Sequence, residues 1–165
     1  MFKRKPVFVL VGLIFLCGIL CCSQLAFSQT IPAFKMRLTN GKMLSSATLS
    51  RQQPLIIIYF APDCEHCQIL MKEIFKKITD FKKALLVLVT FEPPAVLIPF
   101  EKQYKTFKYP NITVGTEVPV FFFRNYYRVE HTPFTALFDK HRKLIISYKD
   151  QTPVNDLIKR LKMLK

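Results

Sequence analysis

Leu55-Ile56-Ile57-Ile58-Tyr59-Phe60-Ala61-Pro62-Asp63-Cys64-Glu65-His66-Cys67 is the stretch around which the rest of the chain can be organised. Its first six residues are continuously apolar, as suits a strand buried on both faces of a sheet. The period then changes. Cys67, Leu70, Met71, Ile74, Phe75, Ile78 and Phe81 recur at three- and four-residue steps, which predicts a long amphipathic helix starting at Cys64. A thiol where strand meets helix lies at the helix N-terminus, where unpaired N–H groups and the helix dipole favour an anion. Cys64 is therefore expected to ionise below the roughly 8.5 of a free thiol and to act as a nucleophile. Cys67, one turn on, can close a disulfide on Cys64 or attack a mixed disulfide formed there. Protonated His66 would favour the Cys64 thiolate, while Asp63 and Glu65 oppose it, so the net sign is open at this level.

The other three cysteines, Cys17, Cys21 and Cys22, lie in a different kind of segment. Lys3, Arg4 and Lys5 precede the apolar stretch Val7 to Cys22, and Ala26-Phe27-Ser28 has the small-x-small form of an export cleavage site. Residues 1–28 read as a signal peptide and 29–165 as one domain; removing 28 of the 165 residues leaves 137. Two other readings of the segment stand beside this one. The apolar stretch has 16 residues against the ~20 that span a bilayer, which leaves an uncleaved membrane anchor open. Acylation at Cys21 or Cys22 is the other. All three place the domain in an exported compartment, periplasm or cell envelope. There the Cys64/Cys67 pair stands alone and is poised for reversible disulfide chemistry, because so short a loop is a weak structural staple.

Without Lys3, Arg4 and Lys5, 22 of the 25 Lys and Arg remain against 11 Asp and Glu. Such a balance is found in nucleic-acid binders, but no nucleic-acid motif is present and export argues against one. Solvated helix faces account for most of these charges, and peripheral attraction to an anionic membrane is the other use they suit.

Asn40-Gly41 suits a tight turn between two strands, Phe34 to Leu38 and Lys42 to Thr48. Ala84 to Thr90 predicts a second buried strand, Pro93 to Phe107 a helix, 111–117 a loop, and Pro119 to Tyr127 a short aromatic helix turning Phe122, Tyr126 and Val129 inward. Thr132 to Phe138 and Lys143 to Tyr148 read as strands about the turn Asp139-Lys140-His141-Arg142. Thr152-Pro153 reads as N-cap and first-turn proline of a last helix, with Val154, Leu157, Ile158, Leu161 and Leu164 as its buried stripe.

This order of elements resembles the thioredoxin fold. Phe60-Ala61-Pro62-Asp63-Cys64-Glu65-His66-Cys67 and Thr132-Pro133-Phe134-Thr135-Ala136-Leu137-Phe138-Asp139, with the N-terminal hairpin, are more narrowly similar to exported TlpA/ResA-type thiol-disulfide oxidoreductases, over roughly residues 34–165. The resemblance implies a three-layer α/β/α sandwich with a mixed sheet and an N-terminal β-hairpin. It implies Cys64 as the attacking and Cys67 as the resolving cysteine of a redox-active disulfide. It also implies a cis bond between Thr132 and Pro133, in a loop that presents Thr132 backbone groups to an extended client segment. The expected activity is disulfide exchange with protein thiols, in either direction, with no bound cofactor and with a redox partner that resets the pair.

The chain departs from that pattern in two places. Thioredoxins carry a tryptophan before the first cysteine and a buried acid six residues before it; here these are Asp63 and Ile58. His131, two residues before Pro133, is the candidate substitute proton acceptor for the resolving thiol. A thiol peroxidase wants Thr or Ser three residues before its cysteine, where Ala61 stands. The alternatives from other classes are a Cu(I)-binding module using Cys64, Cys67 and a histidine, and a non-catalytic binding domain. Zinc would want four ligands, and no metal site is assigned.

Overall fold

The run Leu55–Phe60 supplies β3 (Leu55–Tyr59), every residue of which is buried, in a computed structural model that describes residues 30–164. The expected leader at 1–28 lies outside the described residues. β3 pairs in parallel with β4 (Leu85–Thr90) and antiparallel with β6 (Phe134–Phe138). The remaining strands are β1 (Lys35–Leu38), β2 (Met43–Ser45), β5 (Ile112–Val118) and β7 (Leu144–Lys149). They complete a mixed seven-stranded sheet ordered β2-β1-β5-β4-β3-β6-β7.

Alternation along β3 divides the core in two. Ile56 and Ile58, with Phe60 just beyond the strand, pack under α1 (Glu65–Lys76), α2 (Pro94–Tyr104) and α4 (Val154–Met163). Leu55, Ile57 and Tyr59 face the other way, towards Phe34, Met36 of β1, Leu49, Val129, and Phe123 of the short α3 (Phe122–Tyr127). The result is the α/β/α sandwich that the sequence predicts, with a strand hairpin at its N-terminal edge.

Several boundaries move for identifiable reasons. Residues 111–117 form no loop: they supply β5, clamped between β1 and β4. A Cβ at Gly115 would lie 2.5 Å from Met36 Cε and 2.8 Å from the Arg37 carbonyl, so a glycine that reads as a strand breaker is what lets β1 approach. The first helix stops at Lys76, and Ile78–Phe81 form a 3-10 turn. Phe123 of α3 and Val129 just beyond it turn inward and Phe122 is partly buried, whereas Tyr126 is 46% exposed, the helix being entered through a left-handed Phe121. Pro153, not Thr152, caps α4; the Thr152 hydroxyl is bonded to that of Thr135 at 2.7 Å.

Candidate active site

The carboxyl end of β3 and the amino end of α1 meet at Cys64, which occupies the N-cap position. Its Sγ accepts the Cys67 backbone N–H at 3.4 Å, the role a serine or aspartate side chain plays at ordinary helix starts. The approach is held by Cys64 N–H donating to the Ala61 carbonyl at 3.1 Å and by Gln68 Nε2 donating to the Pro62 carbonyl at 3.1 Å. On its other side the Cys64 thiol donates to the Thr132 carbonyl at 3.4 Å. The Thr132–Pro133 bond is cis, and Pro133 is buried immediately before β6. Two elements far apart in the chain thus converge on one sulfur.

The two thiols, both free, differ in surroundings. Cys64 is half-buried and Cys67 is 1% exposed. Burial pushes the Cys64 thiol up, but hydrogen bonds from the side chains of Cys67 and Thr132 and the N–H groups of Cys67 and His66 outweigh it, bringing Cys64 below the ordinary thiol range. Burial, then the hydrogen bond with Cys64, pushes Cys67 up to about 12. One sulfur is set up to be a thiolate and its neighbour to stay protonated.

Each thiol opens on its own cavity. Cys64, His66, His131, Thr132, Tyr59 and Arg124 line one of about 460 Å³. Cys67 lines another of about 370 Å³, between α1 and α2, whose wall includes Asp63, Gln68, Lys72 and Phe100. His131 therefore shares a cavity with the attacking sulfur and not with the resolving one. Glu65 is exposed in the first turn of α1, and His66 is exposed beside both Cys64 and Pro133.

Glu117 was not singled out by the sequence. It is fully buried and accepts Tyr59 Oη at 2.9 Å, Phe121 N–H at 2.8 Å and Phe123 N–H at 2.7 Å, and it lies before a second cis bond, Val118–Pro119. Tyr59 passes that bonding to the wall of the Cys64 cavity. Burial, against these hydrogen bonds, leaves the Glu117 carboxyl above its ordinary range. The only sequence signal was a lone acid between Thr116 and Val118, which a loop would also accommodate. Among the described residues, no group of three or more His, Cys, Asp or Glu is gathered closely enough to hold a metal ion.

A mixed sheet whose central strand delivers a reactive thiol to a helix N-terminus, faced by a cis-proline loop, defines a thioredoxin-like redoxin domain. The chain belongs to the AhpC/TSA family, whose family model matches residues 27–161, and with it to the thiol redox proteins. No curated protein matches the sequence closely enough to count as a relative. Among solved structures the chain is similar to a putative thioredoxin from Neisseria meningitidis (21% identity over 83% of this chain and 90% of that one, TM-score 0.63). It is similar also to a putative thiol:disulfide interchange protein DsbE from Chlorobium tepidum (14%, 82% and 94%, TM-score 0.62). A third is a peroxiredoxin-like protein from Aquifex aeolicus (14%, 84% and 86%, TM-score 0.67). At these identities the likeness is one of fold.

Proposed function

We propose that this protein is an exported thiol-disulfide oxidoreductase acting on protein clients in the periplasm or cell envelope. The observation that carries the reading is the unequal pair: a lowered, accessible Cys64 at the N-cap of α1 above a raised, buried Cys67. The Cys64 thiolate attacks a client disulfide; the Cys64–client S–S bond forms and the client's other sulfur leaves as a thiolate that takes a proton from water. Cys67 then loses its proton and attacks Cys64 Sγ, the mixed disulfide breaks, and the second client sulfur leaves reduced. Two electrons pass from the pair to the client, and a redox partner restores them; the reverse path oxidises the client.

Cys67 needs a proton acceptor, and Ile58 cannot be one. Asp63 is the only carboxylate on the wall of the cavity that Cys67 lines, so it is the acceptor, through water in that cavity. Thr132 supplies backbone pairing for the client and Pro133 holds it over Cys64, while the His66 backbone N–H favours the Cys64 thiolate. A peroxidase reading lacks a hydroxyl at Ala61.

The test is insulin reduction driven by dithiothreitol. The native protein should accelerate it, Cys64→Ser should not, and Cys67→Ser should accumulate a mixed disulfide with the client. Equal activity in Cys64→Ser would overturn the assignment.

A further inference from the structure

The sheet has two chemically different ends. Leu55 pairs with Leu85 and Phe138, and Leu86 with Ile112, so the segments before β3, β4 and β5 and the turn after β6 share the end opposite Cys64. Hydrogen bonds join them: Asn111 Nδ2 donates to the Phe81 and Ala84 carbonyls, and Arg142 to those of Ser50 and Gln53. On this end lie six exposed lysines, Lys82, Lys83, Lys105, Lys108, Lys140 and Lys143, against the carboxylates Asp80 and Asp139. Asp80 is already paired with Lys162 at 2.8 Å. The catalytic end instead carries Asp63, Glu65, Glu92, Glu130 and Asp150 against Lys35, Arg124, Arg128 and Lys149. The positive charge of the domain is therefore concentrated away from the thiols.

Two large apolar side chains stand out among these lysines. Phe107, between Lys105 and Lys108 in the 3-10 turn Thr106–Lys108, is 77% exposed, and Met163, at the end of α4, is 63% exposed. They are the most exposed large hydrophobic residues of the described chain. The polypeptide also joins the domain here: Thr30 bridges to Lys143, and Ile31 N–H donates to the Arg142 carbonyl at 3.2 Å. The sequence leading to that point contains the apolar stretch Val7 to Cys22.

We propose that this basic end is a docking surface for an anionic lipid bilayer, with Phe107 and Met163 seated at the headgroup boundary and Cys64 turned away from the membrane. Lysines over an anionic leaflet gain from its surface potential, and apolar side chains between them gain by leaving water. Nucleic acid would satisfy the lysines, but it offers nothing to Met163 and gives no reason for the chain to join at this end. The proposal does not depend on the thiol chemistry. It orients the domain so that clients reach Cys64 from the aqueous side.

The chain contains no tryptophan, so Phe107→Trp is a single reporter at an exposed position. Its emission should shift to the blue on phosphatidylcholine vesicles containing phosphatidylglycerol, while Tyr126→Trp, at the catalytic end, should not respond. In flotation with the same vesicles, Lys83→Gln, Lys108→Gln and Lys140→Gln together should lower partitioning roughly 100-fold, since each lysine near such a surface contributes about fivefold. The matched set Lys35→Gln, Arg128→Gln and Lys149→Gln at the other end should change it less than about threefold. Unchanged Cys64 alkylation rates report that each variant folds. Equal binding to pure phosphatidylcholine, equal losses in the two triple variants, or duplex DNA binding that needs the three lysines while anionic vesicles are ignored would each overturn the proposal.

Discussion

Cys64 and Cys67 show how little local sequence separates two opposite chemistries. One helical turn carries the second sulfur from a half-open N-cap into the core under Phe60 and Met71, and burial there outweighs everything that would ionise it. Iodoacetamide titration of the reduced protein should therefore show one thiol reaching its plateau below the pH at which ordinary thiols do, and a second that stays unreactive until about pH 12. In Cys67→Ala the first plateau should move to higher pH, since the Cys67 thiol no longer donates to the Cys64 thiolate. Asp63 and His131 divide along the same line. Stopped-flow resolution of a Cys64 mixed disulfide should slow at least tenfold in Asp63→Asn and be unchanged in His131→Ala, general-base assistance being worth about 10²–10⁴ in rate. Slowing confined to His131→Ala would assign the proton to the imidazole instead.

At the scale of elements, the short helix α3 depends on a residue outside it. It has six residues, begins at a left-handed Phe121 and has no side-chain cap of its own; Glu117, across Pro119, accepts its first-turn N–H groups and the Tyr59 hydroxyl. Burial raises the Glu117 carboxyl above the 4.5 it has when unfolded, so the folded state binds this proton more tightly. Its contribution to stability is complete below pH 4.5 and declines as pH rises through the folded value. Urea unfolding of Glu117→Gln should accordingly lose that decline over the same window. Glu117→Ala, which leaves Phe121 N–H, Phe123 N–H and Tyr59 Oη without their acceptor, should cost about 1–3 kcal/mol or more. For the same reason β5 and the inward face of α3 were hard to read from sequence. A glycine that makes room for Met36 and an acid that caps a helix four residues away both look, locally, like loop residues.

Across the whole molecule, Arg142 fastens the basic end. Arg142 is 3% exposed, and its guanidinium donates to the Gln53 and Ser50 carbonyls, joining the β6–β7 turn to the segment that enters β3. Arg142→Met should lower the urea midpoint by a stability loss of about 1–3 kcal/mol, with little change in Cys64 alkylation, because the turn lies at the opposite end of the sheet from the thiols. What the chain determined by itself was everything carried by short-range periodicity: the apolar β3, the amphipathic α1, the Cys64/Cys67 spacing and the proline-led β6. Those signals are local, since a buried strand and an amphipathic helix each need only their own residues to announce a face. What tertiary structure alone decided was which distant groups meet: the Thr132 carbonyl on Cys64, the Tyr59 hydroxyl on Glu117, Asn111 on the Phe81 and Ala84 carbonyls and Arg142 on those of Ser50 and Gln53. Each of these is a pairing across strands or loops, fixed by register and packing, and no run of neighbouring residues encodes its partner.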